Sequence, residues 1–420
     1  MKKYNHQIAI IGGGTAGITV AAQLINKDKK LDIAIIDPAD THYYQAAWTL
    51  VGAGTFDFEK TARPMKSVIP NGVKWHKEAV EKIDPDNNVL KLGSGDEVEY
   101  QYLVVCPGVI YDFDAVEGLR ETMNKNGVCS NYTDSNYTWE VLKNFKGGNA
   151  IFTQAATPIK CGGAPQKIMY LSADYWRKLG MLDKVNISFP TPGSVIFGVK
   201  DFADTLMKVV DRYGIELRFF HKLTKVDGEK KQAHFTITAE QYDESKLFYH
   251  RNKKIEDLDP SEMKVILPFD MLHLAPPQAA PLFIQESKLV NADKWVDVNI
   301  NTLQHNQYTN IFALGDVAAL PTAKTGAAVR KQAPVVVENL MHVMHKESQL
   351  SDGYHGYSSC PLVTGYGKMV LAEFGYDNVR MSDPMISKFV NTAKENWSMW
   401  LLKKYGLPFM YWNLMLKGKA

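Results

Sequence analysis

Two of the four cysteines have neighbours that suit redox chemistry. Cys161 follows Lys160 and precedes Gly162–Pro165, and Cys360 precedes Pro361 in a strand-forming stretch. If the fold brought both thiols together, they could form a disulfide that a sulfide anion opens, releasing one sulfur as a thiolate. A lysine and a following helix start both lower the pKa of Cys161. Spacing alone leaves open that the two are unrelated buried cysteines.

A glycine-rich turn near the start of the chain predicts a dinucleotide site. It reads GGGTAG over residues 12–17 and stands between an apolar strand and an apolar helix. Gly12 allows the tight turn, Gly14 lets the backbone approach a pyrophosphate, and Gly17 lets helix and strand pack closely. Asp37, after the next strand, can accept hydrogen bonds from ribose hydroxyls. Gly13 completes the turn, which by itself does not distinguish FAD from NAD.

A second motif favours FAD. Gly315 and Asp316 end a short apolar strand and precede a helix that is expected from about Thr325. A carboxylate there can bind ribityl hydroxyls, with the helix dipole facing the flavin ring. The alternative is a simple helix cap, because Asp is a favoured capping residue. The order and spacing of the two motifs indicate a flavin site.

The nicotinamide half of such a flavoenzyme is not recognisable. An expected strand at Asn149–Thr153 runs into the loop that carries Cys161, and no G-x-G-x-x-G pattern follows it. A thiol therefore stands where a second dinucleotide turn would begin. The pattern predicts a flavoenzyme that takes electrons from sulfur rather than from NAD(P)H.

Composition narrows the class of protein further. The chain has 420 residues, 45% hydrophobic and 22% charged, with a formal net charge of +2. This size is ample for two or three domains, and so small a charge argues against nucleic acid as a partner. No C-x-x-C spacing occurs among the cysteines, so no metal site is expected.

The C-terminal stretch is aromatic and basic. From Asn396 to Ala420 it has four lysines and no acid. A helix starting at Pro408 would place Phe409, Trp412 and Leu416 on one face, which suits a helix lying in a membrane interface. A core-packing helix is the alternative. No apolar run reaches the length of a spanning helix.

Several longer stretches resemble one family. The chain resembles the mitochondrial-type branch of the sulfide:quinone oxidoreductases from Ile8 to Leu416. The most specific stretches are residues 42–54, 160–171, 196–200, 321–325 and 359–366. The resemblance implies oxidation of hydrogen sulfide to sulfane sulfur, with electrons passing through FAD to a membrane quinone. The alternatives are a type II NADH:quinone oxidoreductase and a flavin-bearing redox sensor without turnover.

The resemblance also assigns residues. It implies that Cys161 and Cys360 are the redox pair, and that one of them carries a persulfide during turnover. Cys129, where this branch has no cysteine, is an auxiliary candidate, which leaves open a sulfur relay, a neighbour of the flavin or an inert side chain. The residues implied around FAD are Gly12, Gly13, Gly14, Gly17, Asp37, Gln45, Val80, Gly108, Gly315, Asp316 and Lys324. The sulfur acceptor stays open among sulfide, sulfite, glutathione and cyanide.

The expected architecture is α/β, with two Rossmann-like domains of the flavoprotein disulfide-reductase type and a C-terminal amphipathic, membrane-associating segment. We expect residues 1–150 to start the FAD domain, 151–290 to form the second domain and 291–354 to return to the first. Residues 355–420 would hold Cys360, the quinone site and the tail. The first strand begins within a few residues of Met1, so we expect a peripheral protein at the cytoplasmic face of a prokaryotic inner membrane. A homo-oligomer is compatible with all of this.

Overall fold

The larger of two mainly parallel sheets is built from apolar strands near both ends of the chain. A computed structural model describes residues 1–240, 243–252, 263–347 and 349–420. The first sheet contains Lys3–Ile11, Ile33–Ile36, Lys74–His76, Val80–Asp84, Val89–Leu92, Glu97–Val105 and Ile311–Ala313. Ile8, Ile10, Ile33 and Ile35 are fully buried, as expected for central parallel strands covered on both faces.

The second sheet lies in the middle of the chain. Its strands are Val128–Cys129, Gly148–Thr153, Val185–Pro190, Glu216–Arg218, Phe248–Tyr249 and Met271–Leu274. All of these pairs are parallel except that of Phe248–Tyr249 with Glu216–Arg218. Val128–Cys129 therefore belongs to this sheet although it precedes residue 150. We retain the four-segment division of the chain as a proposal.

The remaining strands form smaller sheets. A three-stranded sheet holds His221–Asp227, Gln232–Ile237 and Lys264–Pro268. Two-stranded pairs join Thr41–Tyr43 to Ala62–Pro64, Ile110–Tyr111 to Gln278–Ala279, and Ser358–Gly365 to Lys368–Phe374. The last pair is an antiparallel hairpin with Cys360 opposite Ala372. It confirms the strand-forming character expected around Cys360.

The helices pack on the sheets and connect them. The α-helices are Thr15–Lys27, Trp48–Val51, Met65–Val68, Leu119–Thr122, Ser135–Asn144, Ala164–Lys178, Lys200–Tyr213, Glu244–Leu247, Leu282–Gln285, Gly326–Met344, Pro384–Ser387, Trp397–Leu401 and Leu407–Asn413. The last two are joined by a π-helical turn, Leu402–Gly406. Gly326–Met344 begins beside Thr325, as expected, and Thr325 caps it by accepting from Ala328 N at 3.0 Å. Within the described chain, no helix has the length and apolar character needed to span a bilayer.

The C-terminal segment, residues 397–417, lies largely against the protein. Trp412 and Leu416 are 5% and 1% exposed and pack into the core beneath the first sheet, while Phe409 is 62% exposed. The expectation that these three side chains share one lipid-facing side is therefore wrong for Trp412 and Leu416. Trp412 and Leu416 are both turned towards the protein, whereas Phe409, on the same helix as Trp412, is turned towards solvent.

Candidate functional site

Four strand ends of the first sheet bring the expected flavin residues to one edge. The strands Lys3–Ile11, Ile33–Ile36, Glu97–Val105 and Ile311–Ala313 run parallel. Their carboxyl ends lead directly into Gly12, Asp37, Gly108 and Gly315. Ligands of open parallel sheets bind outside the carboxyl ends of the strands, so these residues form one candidate cradle.

The glycine turn has the geometry that its sequence predicts. Gly12 has φ +105°, and a Cβ there would lie 2.4 Å from the Cys106 carbonyl oxygen. At Gly17 a Cβ would lie 1.9 Å from the Gly12 carbonyl oxygen, so strand and helix can approach only without side chains. A Cβ on Gly14 would meet nothing within 4 Å, so the turn faces open space at the start of the helix Thr15–Lys27. This arrangement can receive a pyrophosphate.

The two acidic residues of the cradle differ in their surroundings. Asp37 accepts a hydrogen bond from Gly13 N at 2.6 Å and one from Ala39 N at 2.8 Å. Burial raises the pKa of Asp316, against the charges of Lys160 and Lys324. Lys324 Nζ donates to the Asp316 carbonyl oxygen at 2.6 Å, and burial lowers the pKa of Lys324 to about 8. Lys324 thus lies beside Asp316, and its implied place near the flavin ring stays a prediction.

Two other residues of the implied cradle, Gln45 and Val80, lie on elements separate from the glycine turn. Gln45 is exposed on the short turn Gln45–Ala47. Val80 is buried at the start of Val80–Asp84, four residues after His76, whose carbonyl oxygen accepts from Asp37 N at 3.1 Å. The contacts of both residues with FAD stay predictions.

The residues present fit FAD. A cavity lies between Gly315, Lys324 and the start of Gly326–Met344, and a Cβ on Gly108 or Gly326 would meet no atom within 4 Å. Gln278 adds a donor, because its Nε2 is buried without a hydrogen-bond partner while its Oε1 accepts from Lys160 N at 2.9 Å. Open backbone and an unpaired donor next to the cysteine loop are what a bound isoalloxazine requires.

The fold brings Cys161 and Cys360 together. Cys161 is half-buried on the loop before Ala164–Lys178, and Cys360 is 4% exposed on the hairpin strand. The two thiols are close enough for each to shift the pKa of the other. Gly163 makes this approach possible, because a Cβ at that position would lie 2.4 Å from Cys360 Sγ. Neither cysteine is in a disulfide in this structure.

The Cys161 loop is fixed by three backbone hydrogen bonds. Cys161 N donates to the Lys324 carbonyl oxygen at 2.7 Å, which ties the loop to the flavin cradle. The Cys161 carbonyl oxygen accepts from the Tyr132 hydroxyl at 3.0 Å and from Ala164 N at 2.7 Å. The residue has φ +52°, an uncommon value for a side chain other than glycine. These bonds hold an otherwise unfavourable backbone conformation next to the cradle.

A buried lysine, Lys167, lies beside Cys161 and affects the pKa of both thiols. Lys167, on the first turn of Ala164–Lys178, is 2% exposed and donates from Nζ to Cys161 Sγ at 3.0 Å. The hydrogen bond from Cys360 and the charge of Lys167 lower the pKa of Cys161 well below its ordinary value, whereas the pKa of Cys360 is raised. Burial alone would lower the pKa of Lys167, but the two sulfurs raise it. These directions favour a thiolate at Cys161 and a thiol at Cys360.

A second buried lysine comes from the C-terminal segment. Lys403 is 3% exposed and donates from Nζ to the Ala46 carbonyl oxygen at 2.8 Å. Burial and the charge of Lys167 lower its pKa to about 8. Its charge also acts on Cys161 and Cys360, so the C-terminal segment reaches the two cysteines.

Cys129 and Cys106 are placed differently from the pair. Both are buried, and burial raises the pKa of Cys129 to about 12. Burial likewise raises the pKa of Cys106, which matches its interpretation as a small hydrophobe. The auxiliary role of Cys129 stays a prediction.

Comparison with known proteins finds one family model and several relatives that match this chain. The pyridine nucleotide-disulphide oxidoreductase family matches residues 6–144. The mitochondrial sulfide:quinone oxidoreductase of Dictyostelium discoideum is 41% identical, covering 98% of this chain and 86% of that protein. The enzyme of the same name from Mus musculus is 38% identical, covering 99% of this chain and 87% of that protein.

The chain belongs to the sulfide:quinone oxidoreductase family. This membership confirms the expected α/β fold, FAD as cofactor and oxidation of sulfide with a quinone as acceptor. The solved sulfide:quinone oxidoreductase of Aquifex aeolicus has the same fold, with a TM-score of 0.78 at 18% identity, and the match covers 100% of this chain and 92% of that one. By contrast, a type II NADH:quinone oxidoreductase of Staphylococcus aureus matches only 29% of this chain, at 26% identity.

The comparisons correct the expected location of this sulfide:quinone oxidoreductase. The expectation of a prokaryotic inner membrane is wrong, because relatives at 35–41% identity over nearly the whole chain are mitochondrial proteins of eukaryotes. The expectation rested on how soon the first strand begins. The start of a folded domain carries no information about the compartment in which it works.

Two site residues of this family member are not marked by any pattern in the sequence. Lys167 lies in the stretch 160–171 that carries the family resemblance, but no rule of spacing connects it to Cys161. Lys403 falls in a segment whose composition suits a helix in the membrane interface, where lysines are ordinary. Only their burial reveals them, and burial is a tertiary property.

Proposed function

We propose that Cys161 and Cys360 are the redox pair of this sulfide:quinone oxidoreductase, as a disulfide in the oxidised enzyme. The observation that carries the proposal is the contact of the two thiols beside the Lys167 ammonium, 3.0 Å from Cys161 Sγ. The bond from Cys161 N to the Lys324 carbonyl oxygen supports it, because it joins the sulfur site to the flavin cradle.

The lysine decides which sulfur leaves. A thiolate stabilised by a cation is the better leaving group in disulfide exchange. Hydrosulfide therefore attacks Cys360 Sγ, an S–S bond forms there, and the bond to Cys161 Sγ breaks. The products are a persulfide on Cys360 and a thiolate on Cys161, held by Lys167. Lys403 adds a second positive charge to the same buried site.

A small nucleophile completes the sulfur transfer. A second hydrosulfide, a sulfite or a low-molecular-weight thiol attacks the outer sulfur of the persulfide and leaves Cys360 as a thiolate. When Cys161 and Cys360 then rejoin as a disulfide, two electrons are released. Bound FAD supplies the acceptor for these two electrons and passes them to the quinone. Each turnover so converts one sulfide into one transferred sulfane sulfur.

We further propose that an exposed apolar surface binds the membrane from which the quinone comes. Five side chains on this surface are at least 60% exposed: Met385, Phe389, Trp397, Tyr405 and Phe409. Their neighbours Ile386, Val390, Leu401 and Leu402 pack into one core cluster, which supports a common surface. The exposed Lys388 and Lys394 can attract anionic lipid headgroups. The proposed membrane-binding surface is therefore not the whole tail. It consists of the exposed side chains of the tail together with residues 385–389.

Anaerobic titration of the holoenzyme tests the donor. Sulfide is expected to bleach the flavin absorbance with a stoichiometry near one, and a ubiquinone analogue is expected to restore it. NADH is expected to leave the band unchanged, because the loop after Gly148–Thr153 carries Cys161 instead of a dinucleotide turn. Rapid bleaching by NADH, with none by sulfide, would overturn the proposal.

A further inference from the structure

The C-terminal segment reaches back to the glycine turn through one tyrosine. The Tyr411 hydroxyl lies 2.6 Å from His42 Nε2 and 2.8 Å from Thr15 Oγ1. On its other side, His42 Nδ1 lies 3.0 Å from the Gly13 carbonyl oxygen. Thr15 and Gly13 belong to the turn that receives the pyrophosphate, so a hydroxyl from the end of the chain connects both sides of that turn.

A neutral histidine satisfies every member of this network. With the proton on Nδ1, His42 donates to the Gly13 carbonyl oxygen and accepts from the Tyr411 hydroxyl at Nε2. The Thr15 hydroxyl then donates to the Tyr411 oxygen. His42 is 3% exposed, and burial lowers its pKa, in keeping with the neutral ring. The tautomer follows from these bonds.

The surrounding packing fixes Tyr411 in place. Its ring lies 4.6 Å from that of Tyr44, and both side chains are 6% exposed. Further along, the Lys417 carbonyl oxygen accepts from Asn26 Nδ2 at 2.8 Å, on the last turns of the helix Thr15–Lys27. A Cβ on Gly418 would lie 2.8 Å from the backbone of the same helix, at Ala22. The segment is therefore attached at both ends of the helix that starts at the pyrophosphate site.

A second contact joins the segment to another turn of the implied cradle. Lys403 Nζ donates to the carbonyl oxygen of Ala46, the neighbour of Gln45. The segment thus holds two of the backbone turns that the family resemblance places around FAD, although none of its own residues is among those assigned to the cofactor.

We propose that the C-terminal segment is a wall of the FAD cradle, in which Tyr411 is the positioning residue that holds the glycine turn through His42 and Thr15. The proposal rests on FAD binding by this chain and is independent of the roles proposed for the cysteines. Loss of the Tyr411 hydroxyl leaves a buried acceptor on His42 and a buried donor on Thr15 unpaired, and the turn that binds the pyrophosphate loosens.

The test is the rate at which the holoenzyme releases FAD. Purified Tyr411→Phe and wild-type enzyme are diluted into buffer without flavin, and the fluorescence of freed FAD is followed. We expect release from Tyr411→Phe to be about threefold to tenfold faster, the range that one lost hydrogen bond produces. The matched control is Tyr405→Phe, the same change at a 62% exposed position of the segment, which should release FAD at the wild-type rate. A release rate of Tyr411→Phe within twofold of wild type would overturn the proposal.

A double-mutant cycle separates positioning from general loosening. His42→Asn keeps an amide donor for the Gly13 carbonyl but removes the acceptor for Tyr411. If Tyr411 acts through His42, the double variant releases FAD no faster than the faster single variant. Independent, multiplying effects on the release rate would contradict that route. The melting temperatures of the four apoproteins are measured in parallel, and a Tyr411→Phe effect confined to melting, with unchanged FAD release, would also overturn the proposal.

Discussion

The ammonium of Lys167 lies 3.0 Å from the sulfur of Cys161, and the lysine is 2% exposed. A cation this deeply buried is retained only next to a negative charge, so its presence favours a thiolate at Cys161. In the proposed mechanism the same contact gives the two cysteines different roles, with Cys161 as the leaving group and Cys360 as the sulfur that hydrosulfide attacks.

Lys167→Met should raise the pKa of the Cys161 thiol. Because the thiolate is the form that leaves and reacts, activity should fall at neutral pH and recover as pH rises towards the new pKa. A charge-assisted hydrogen bond of about 1.5–3 kcal/mol corresponds to a shift of about one to two pH units. The measurement is the pH profile of sulfide-dependent quinone reduction, with iodoacetamide alkylation of the reduced enzyme as a direct probe. Lys184→Met, at an exposed position, is the control and should leave both profiles unchanged.

Replacement of either cysteine of the pair by serine should abolish sulfide-dependent quinone reduction and leave FAD bound. Neither thiol belongs to the flavin cradle, and one thiol alone cannot form the disulfide. Cys129→Ser is the matched variant and should keep most of the activity, because that side chain is fully buried in a strand of the second sheet. Equal loss in all three variants would require a mechanism with three cysteines.

Gly163→Ala should inactivate the enzyme without removing a sulfur. The new methyl group would lie 2.4 Å from Cys360 Sγ, so Cys360 must move away from Cys161. We expect a loss of quinone reduction of at least about tenfold, with FAD content and melting temperature close to wild type; such overpacking costs about 1–3 kcal/mol. Gly162→Ala is the control, because a Cβ there meets nothing within 4 Å. Equal activities of the two variants would show that the spacing of the sulfurs tolerates displacement.

Phe389→Ser combined with Phe409→Ser should weaken binding to anionic vesicles. Both side chains are more than 60% exposed, so the change removes lipid contact without opening the core. The full removal of one buried aromatic side chain from lipid corresponds to about 1.5–3 kcal/mol. Co-sedimentation with liposomes measures binding, and flavin reduction by sulfide in solution should keep its wild-type rate. Leu282→Ser, at another exposed apolar position, is the control. Undiminished sedimentation of the double variant would place the membrane contact elsewhere.

Much of the cradle could be predicted from short stretches of sequence. Gly12, Gly14 and Gly17 act within one strand–turn–helix unit, and Asp37 follows at the end of the next strand. Such local units have fixed geometry, and the parallel pairing of the strands is enough to bring Asp316 to the same edge. The lack of a second glycine turn after Asn149–Thr153 likewise marks Cys161 as unusual from the sequence alone.

The interactions that cross the chain could not be predicted in this way. Phe409 and Trp412 are equally apolar, yet one faces out and the other is buried under the first sheet. A hydrophobic pattern indicates that a side chain is removed from water, but it does not indicate whether protein or lipid covers that side chain. The pattern of the C-terminal helix therefore allows contact with lipid or with the protein core, and in the structure only part of its surface is free.

The sequence by itself determined the residue types and the family of this protein: a dinucleotide turn, an acid expected to contact the flavin, two thiols and the family that they indicate. Tertiary structure decided how that chemistry is arranged. The sulfurs of Cys161 and Cys360 meet because the loop before one helix packs on a distant hairpin, and Gly163 leaves room for the contact. Lys167 and Tyr411 are buried, and a buried charge or hydroxyl needs a hydrogen-bond partner. Their partners are Cys161 and His42, and the roles proposed for the two residues follow from these contacts. Burial and partners depend on segments that are far apart in the chain, so no local pattern of residues could specify them.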